Sequence, residues 1–112
     1  MTPHGIAACP TVQKYIAELV AKGLTDSEQQ QRLRILAEFC DFVDRTPDQM
    51  VAEIFDVETQ KYKKRNFYSG RVKDFSAQVA GNWSASAARG NIIRSFFIAN
   101  GRRLPNDKPD WL

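Results

Sequence analysis

The chain of 112 residues is 43% hydrophobic and 26% charged, which predicts one globular domain with a single core and disfavours a disordered chain. No apolar run reaches the roughly 20 residues that a membrane-spanning helix needs, and the N-terminus lacks a signal-peptide pattern. The net charge of +3 conceals an asymmetry: residues 1–60 carry five Lys/Arg and ten Asp/Glu, whereas residues 61–112 carry eleven and three. The basic second half favours a polyanionic partner, although a solvated basic face has the same composition.

Helical apolar spacing recurs along the chain, whereas no segment alternates apolar and polar residues as a strand does. It predicts a first helix over residues 11–22, which Gly23 ends, and a second over residues 26–44. The apolar stripe of the second helix is widened by Phe39 and Phe42, so we expect neighbours to cover that helix on more than one side.

The second half of the chain predicts three further helices. Thr46 and the proline after it begin a short helix over residues 47–54, and the longest helix follows over residues 57–80. Gly70 lies inside the long helix, where glycine is unfavourable, so we expect a bend or a close contact there. A last helix begins at the serines 84 or 86 and ends at residues 100–101.

These segments predict an all-α fold, a four-helix bundle with one additional short helix. Each helix carries an apolar stripe that only the other helices can bury. We expect one domain over residues 1–112, with a core at about residues 11–105 and a tail or linker at 106–112. Trp111 in the tail either docks on the domain or leads towards a following domain.

No catalytic or metal-binding constellation is present in the sequence. The one histidine, His4, lies in a segment that we expect to be frayed, and no triad, paired histidines or glycine-rich phosphate loop occurs. Cys9 and Cys40 match no metal or redox spacing, and Cys40 falls in a helical apolar pattern that predicts a buried, reduced thiol. We therefore expect a cytoplasmic protein without a cofactor that is not an enzyme.

The chain contains, in order, GLTDSEQQQRLRILAEFCDFV, RTPDQM, a long basic and aromatic segment, and SASAARGNIIRSFFIANGRRLP. This order resembles the N-terminal core-binding, SAM-like domain of the tyrosine recombinases (phage integrase family) over about residues 15–105. Its most specific part is IRSFF at residues 93–97 with the turn that follows.

The resemblance implies half of a C-shaped clamp on duplex DNA, with two helices across the major groove. In that family a separate C-terminal domain supplies the catalytic Arg, His-x-x-Arg pair and nucleophilic Tyr. This chain contains no His-x-x-Arg, and its length leaves no room for that domain, so we expect no recombination by this chain alone. The implied partners are duplex DNA, a C-terminal catalytic domain and other recombinase protomers, near the nucleoid in a prokaryote.

The start of the last helix combines small residues with cations and hydrogen-bonding side chains. Ser84, Ser86, Arg89 and Asn91 supply donors that a DNA phosphate needs, and small neighbours let a helix approach closely. The alternative is that Gly90 and the alanines around it permit close packing between helices instead.

Other cations of the sequence complete the predicted interface. Arg32 and Arg34 begin the second helix, with surface ion pairs to Glu28 or Glu38 as the alternative. The run at residues 61–65 is too dense to share one face, so a solvated run is an equal interpretation. The predicted DNA-binding residues are Arg32, Arg34, Lys61, Lys64, Arg65, Arg71, Ser84, Ser86, Arg89, Asn91, Arg94, Arg102 and Arg103.

Two other functions fit the same sequence. A helical protein-interaction module would use Trp83, Trp111 and exposed aromatic residues to contact another protein. A helix-turn-helix regulator needs a tight turn after the second helix, and the insert DRTPDQMVAEIF at residues 44–55 disfavours it.

Overall fold

The computed structural model describes residues 1–78 and 83–105, the side chain of Trp83 excepted. Over these residues the chain is mostly helical, as predicted for an all-α protein, with a single two-stranded hairpin. The elements are α1 Pro3–Ile6, α2 Pro10–Ala21, α3 Asp26–Val43, α4 Pro47–Ile54, β1 Phe55–Asp56, β2 Lys61–Tyr62, α5 Arg65–Ala77 and α6 Trp83–Ala99. Predictions for residues 79–82, for the Trp83 side chain and for the tail at 106–112, including Trp111, lie outside the described residues.

Local capping explains why α3 and α4 begin where the sequence predicts. Thr25 and Glu28 exchange side-chain and backbone hydrogen bonds at the start of α3, and Thr46 and Gln49 do so at the start of α4. Each pair is a capping box, which satisfies two backbone N–H groups that a helix start leaves unpaired. Gly23 follows α2 with a φ of 82°, a conformation that glycine adopts without steric cost.

The predicted helix over residues 57–80 is wrong in its first eight residues. A hairpin occupies this region instead, with Phe55 opposite Tyr62 and Asp56 opposite Lys61. The Asp56 carboxylate accepts hydrogen bonds from the backbone N–H groups of Glu58 at 2.9 Å and Thr59 at 3.4 Å. These bonds give the backbone an alternative to the helix, and α5 begins only at Arg65.

The N-terminal segment is ordered as a helix rather than frayed, so the prediction for it is wrong. Thr2 caps α1 by accepting a hydrogen bond from the Gly5 N–H at 2.9 Å. Ile6 is buried against the rest of the core, and the N-terminal amine forms an ion pair with Asp41 on α3. The core therefore begins before residue 11, because one apolar side chain and one charge pair hold α1 to α3.

The core surrounds α3, which packs against α1, α5 and α6, while α2 packs against α4 and α6. This confirms the prediction that neighbours cover α3 on several sides. The largest fully buried side chains are aromatic: Tyr15, Tyr68, Phe39, Phe75, Phe96 and Phe97. Cys40 is a free, fully buried thiol, as predicted, and burial raises its pKa to about 12. Within the described residues, no helix is both long and apolar enough to cross a membrane.

The first half of α6 is small because it packs closely on α5. A Cβ atom at Gly90 would lie 2.5 Å from the Ser76 Oγ, so only glycine fits without a shift. Ser86 donates a hydrogen bond to the Ser76 carbonyl at 2.7 Å in the same contact. The packing alternative is therefore confirmed for Gly90, and Ser86 contacts α5. Gly70 makes no close contact, since an added Cβ there meets no atom within 4 Å and α5 continues through it.

Replacing Gly90 by alanine should destabilise the domain relative to the matched change at Gly70. At Gly70 the added methyl meets open space, so G70A should stabilise α5 by about 0.5–1 kcal/mol. At Gly90 the methyl displaces Ser76, so the unfolding free energy of G90A should lie about 1–3 kcal/mol below that of G70A in urea denaturation. Adding S76A to G90A should recover part of the loss. Equal stabilisation by both glycine changes would contradict the close contact.

Candidate nucleic-acid interface

One stripe of α6 faces away from the core. Its members recur at spacings of three and four residues, which places them on a single face of the helix. All are exposed except Ser95, which is half-buried. We call this stripe the outer ridge, and it consists of Ser84, Ala88, Asn91, Ser95 and Ile98.

A basic cleft lies on the α5 side of the outer ridge. It has a volume of about 390 Å³, and its walls include Lys73 of α5 and Asn91 and Arg94 of α6. The Arg94 guanidinium donates a hydrogen bond to the Pro105 carbonyl at 3.1 Å, and the Ser69 hydroxyl donates to the same oxygen at 2.7 Å. These bonds hold the chain after α6 against α5. The lining of the cleft contains one cation from each of the two helices.

A second cleft lies on the other side of the outer ridge, between α2, α3 and α6. It has a volume of about 350 Å³ and includes Lys22, Arg32 and Ser95 in its lining. The Arg32 Nη1 donates to the Tyr15 hydroxyl at 3.3 Å, and that hydroxyl lies 2.7 Å from the Ser95 Oγ. We call it the Arg32 cleft. Arg32 and Arg94 therefore lie on opposite flanks of one ridge.

Arg34 does not join this surface. It lies two residues after Arg32, about 200° further around the helix, and lines a shallow depression with Pro3 and Ser27. Neither arginine pairs with the expected carboxylates within the described residues. Glu28 is held in the α3 capping box, and the hydrogen bonds from Thr25 lower the pKa of Glu28.

Arg89 packs within the bundle, against Phe75 of α5 and Glu38 of α3. Its guanidinium carbon lies 3.6 Å from the centre of the Phe75 ring, and Nη1 lies 3.1 Å from Glu38 Oε2. Its Nε is buried without a hydrogen-bond partner. Arg89 and Asn91 are two residues apart, so they point to nearly opposite sides of α6.

Arg71 has a similar position on α5. Its guanidinium carbon lies 4.3 Å from the centre of the Phe42 ring, and Nη1 lies 3.6 Å from Asp74 Oδ2. Phe42 packs against Phe75, so Arg71 and Arg89 cover one aromatic cluster on the α3 side of the molecule. The structure does not bring either arginine to the outer ridge.

The cations near the hairpin divide between structural and exposed positions. Arg65 donates two hydrogen bonds to the Arg103 carbonyl, at 3.1 and 2.9 Å, and lies 4.3 Å from the Tyr62 ring centre. Arg102 lies 4.8 Å from the ring centre of Phe55. These contacts fix the hairpin, whereas the side chains of Lys61 and Arg103 are exposed.

Lys64 belongs to a polar network around Glu53. The Glu53 carboxylate accepts hydrogen bonds from the Tyr68 hydroxyl at 2.6 Å and from Arg45 Nε at 3.0 Å, and Lys64 Nζ lies 3.6 Å away. Burial alone would raise the pKa of Glu53, but these hydrogen bonds and charges bring it below its usual value. Burial and the contact with Glu53 raise the pKa of Tyr68. Lys64 therefore contributes to joining α4 to α5.

Sequence reasoning missed two cations that the structure places beside the ridge. Lys73 lies eight residues after Arg65 and four after Ser69, a helical spacing that could have assigned it to the face of α5 that meets α6. Lys22, the residue after α2, lines the Arg32 cleft, and no sequence signal links it to α6. Ser84 and Asn91, both predicted, lie on the outer ridge.

No similar protein was found that could indicate a function for these clefts and the outer ridge. Comparisons with protein-family models, curated protein sequences and solved structures found no match. The described residues contain no group of three or more His, Cys, Asp or Glu side chains placed to hold a metal ion. The likeness to the core-binding domains therefore depends on the sequence pattern alone.

Replacing Arg89 by alanine should destabilise the domain by about 1–2 kcal/mol, because the change uncovers Phe75 and removes the cation from its ring. Arg34→Ala is the matched control, since that exposed side chain should change the unfolding free energy by less than about 0.5 kcal/mol. Thermal or urea unfolding of the two variants measures the difference. An R89A variant as stable as R34A would show that Arg89 has no packing role.

Proposed function

We propose that this chain is a duplex-DNA-binding domain, a four-helix bundle of the SAM-like core-binding type found in tyrosine recombinases. One observation supports the proposal: the outer ridge on α6 lies between two clefts whose linings contain cations from α3, α5 and α6 and from the residue that follows α2. Lys73 and Arg94 flank the ridge on one side, and Lys22 and Arg32 on the other. The domain binds DNA and performs no catalysis by itself.

The dimensions of B-DNA suit this arrangement. The major groove is about 12 Å wide and admits an α-helix, and phosphates line both of its edges. With the outer ridge in the groove, Asn91 can exchange hydrogen bonds with a base edge, and Ile98, whose surface is 53% exposed, can contact a thymine methyl group. The flanking cations then lie towards the phosphates, which position the helix without specifying sequence.

The proposed contact set differs from the sequence prediction in physically explained ways. Arg65, Arg71, Arg89 and Arg102 are left out because each of these guanidinium groups lies over an aromatic ring. Lys61 in β2 and Arg103 after α6 are exposed and could extend a phosphate-binding surface near the start of α5, where Arg65 donates hydrogen bonds to the Arg103 carbonyl. The proposed contacts are Lys22, Arg32, Lys73, Ser84, Asn91, Arg94 and Ser95.

The recombinase resemblance supports the same helix. In that family, the helix before the basic turn opens with small and hydroxyl residues and continues into a hydrophobic block, as α6 does. Under this proposal, a catalytic domain and other recombinase protomers are the partners that complete the reaction.

A protein-interaction module is the second candidate, because exposed apolar side chains gather around the hairpin. Val57, Tyr62 and Phe67 have 69%, 46% and 54% of their surfaces exposed. This function requires a stoichiometric protein complex and produces no mobility shift with DNA.

DNA binding should weaken steeply with salt. The logarithm of the association constant falls linearly with the logarithm of salt concentration, by about 0.9 per phosphate contacted. We expect Lys73→Gln to reduce affinity on every duplex and to lower this slope by about 1, while Arg34→Gln leaves both unchanged. Fluorescence anisotropy with a labelled duplex over a salt series measures both quantities.

Absence of binding at low salt would contradict the proposed function. Equal loss of affinity in the Lys73 and Arg34 variants would support a diffuse attraction to the basic half of the chain instead of an interface at α6.

A further inference from the structure

The Arg32 cleft contains the guanidinium of a half-buried arginine, which forms no ion pair within 4 Å of a carboxylate among the described residues. Arg32 makes one hydrogen bond there, to the neutral hydroxyl of Tyr15. Arginine remains charged at every physiological pH, so the free-energy cost of burying its charge cannot be lowered by loss of a proton. A partly desolvated charge of this kind is stabilised by an anion.

The nearest acids do not provide that anion. Glu28, one turn before Arg32, is held in the α3 capping box by its hydrogen bonds with Thr25, and its electrostatic attraction to Arg32 contributes less to lowering the pKa of Glu28 than those bonds do. Glu18 lines the cleft, yet it forms no ion pair with Arg32 or Lys22 within the described part of the chain. The cleft therefore presents two cations and one carboxylate, an excess of positive charge.

A directional chain of hydrogen bonds holds the guanidinium in place. The Ser95 hydroxyl donates to the Ile92 carbonyl at 2.7 Å, so its oxygen is left to accept from the Tyr15 hydroxyl, also at 2.7 Å. The Tyr15 oxygen in turn accepts from Arg32 Nη1 at 3.3 Å. Both hydroxyl protons are used within the chain, so only Arg32 and Lys22 retain N–H donors for a ligand in the cleft.

We infer that the Arg32 cleft binds a single phosphate group, with Arg32 and Lys22 as its ligands and Tyr15 and Ser95 as positioning residues. A guanidinium offers paired N–H donors that match two phosphate oxygens, and the ammonium of Lys22 adds a second charge. The volume of about 350 Å³ admits one such group with its hydration water.

The location of the cleft connects it to the proposed function. Ser95 and Ile98 belong both to the outer ridge and to the cleft lining, so a bound phosphate lies beside the helix that we place in the major groove. The source of the phosphate rests on the proposed function: if the domain binds DNA, one backbone phosphate occupies the cleft. A free phosphate ion has the same chemistry, and the experiment separates the two sources.

The test is an NMR titration of the nitrogen-15-labelled full chain, in which the Arg32 Nε–H signal reports on the cleft. Inorganic phosphate is added into the millimolar range, with sodium chloride at matched ionic strength as the control. We expect a saturable shift with phosphate, its loss in Arg32→Gln, and several-fold weaker binding in Tyr15→Phe. Arg34→Gln, at the exposed arginine outside the cleft, should bind phosphate like the wild type.

Two variants distinguish loss of the phosphate site from loss of folding. Tyr15→Phe retains the ring that packs edge-on against Phe96, and a melting curve confirms that the variant is folded. Glu18→Gln removes the one carboxylate of the cleft lining and should strengthen phosphate binding several-fold, a gain that unfolding cannot produce.

A second titration uses a DNA duplex. A shift of the Arg32 signal with both phosphate and duplex supports the site and assigns it to a DNA phosphate. A shift with phosphate in a protein that does not bind duplex DNA supports the site but contradicts the proposed function. No saturable response to phosphate beyond that to chloride overturns the inference, whatever the DNA result.

Discussion

The close approach of α5 and α6 at Gly90 determines where the charged side chains of both helices can point. Because Ser76 Oγ occupies the space of a Cβ atom, the two backbones lie closer than larger residues would allow. Ser76 and Gly90 line the same cleft as Lys73 and Arg94, and Asn91 lies on the exposed side of α6. A wider separation would shift the cations of the two helices relative to each other.

Four arginines of α3, α5 and α6 have two different physical roles. Arg71 and Arg89 lie over phenylalanine rings on the α3 side, where a planar cation both covers apolar surface and interacts with the ring. Arg32 and Arg94 make hydrogen bonds to neutral oxygens beside the outer ridge. The number of basic residues in the second half of the chain is therefore larger than the number available to bind a polyanion, since Arg71 and Arg89 stabilise the fold.

The sequence was sufficient where local chemistry determines structure. Capping residues fixed the starts of α3 and α4, and periodicity located the buried aromatic residues. The helix predicted over residues 57–64 is wrong, because hydrogen bonds to Asp56 reverse the chain there. Sequence patterns also did not reveal that Arg89 packs against Glu38 and Phe75, which are distant in sequence. Contacts of that kind depend on how helices are arranged, which periodicity does not specify.

The central claim is that DNA meets the outer ridge of α6, and mapping of backbone amide shifts on addition of duplex DNA tests it most directly. The account predicts the largest changes at Ser84, Asn91 and Ile98, with the amides of Glu38 and Phe75 nearly unchanged. Largest changes on the face that contains Arg89 and Glu38, or no changes at low salt, would contradict it.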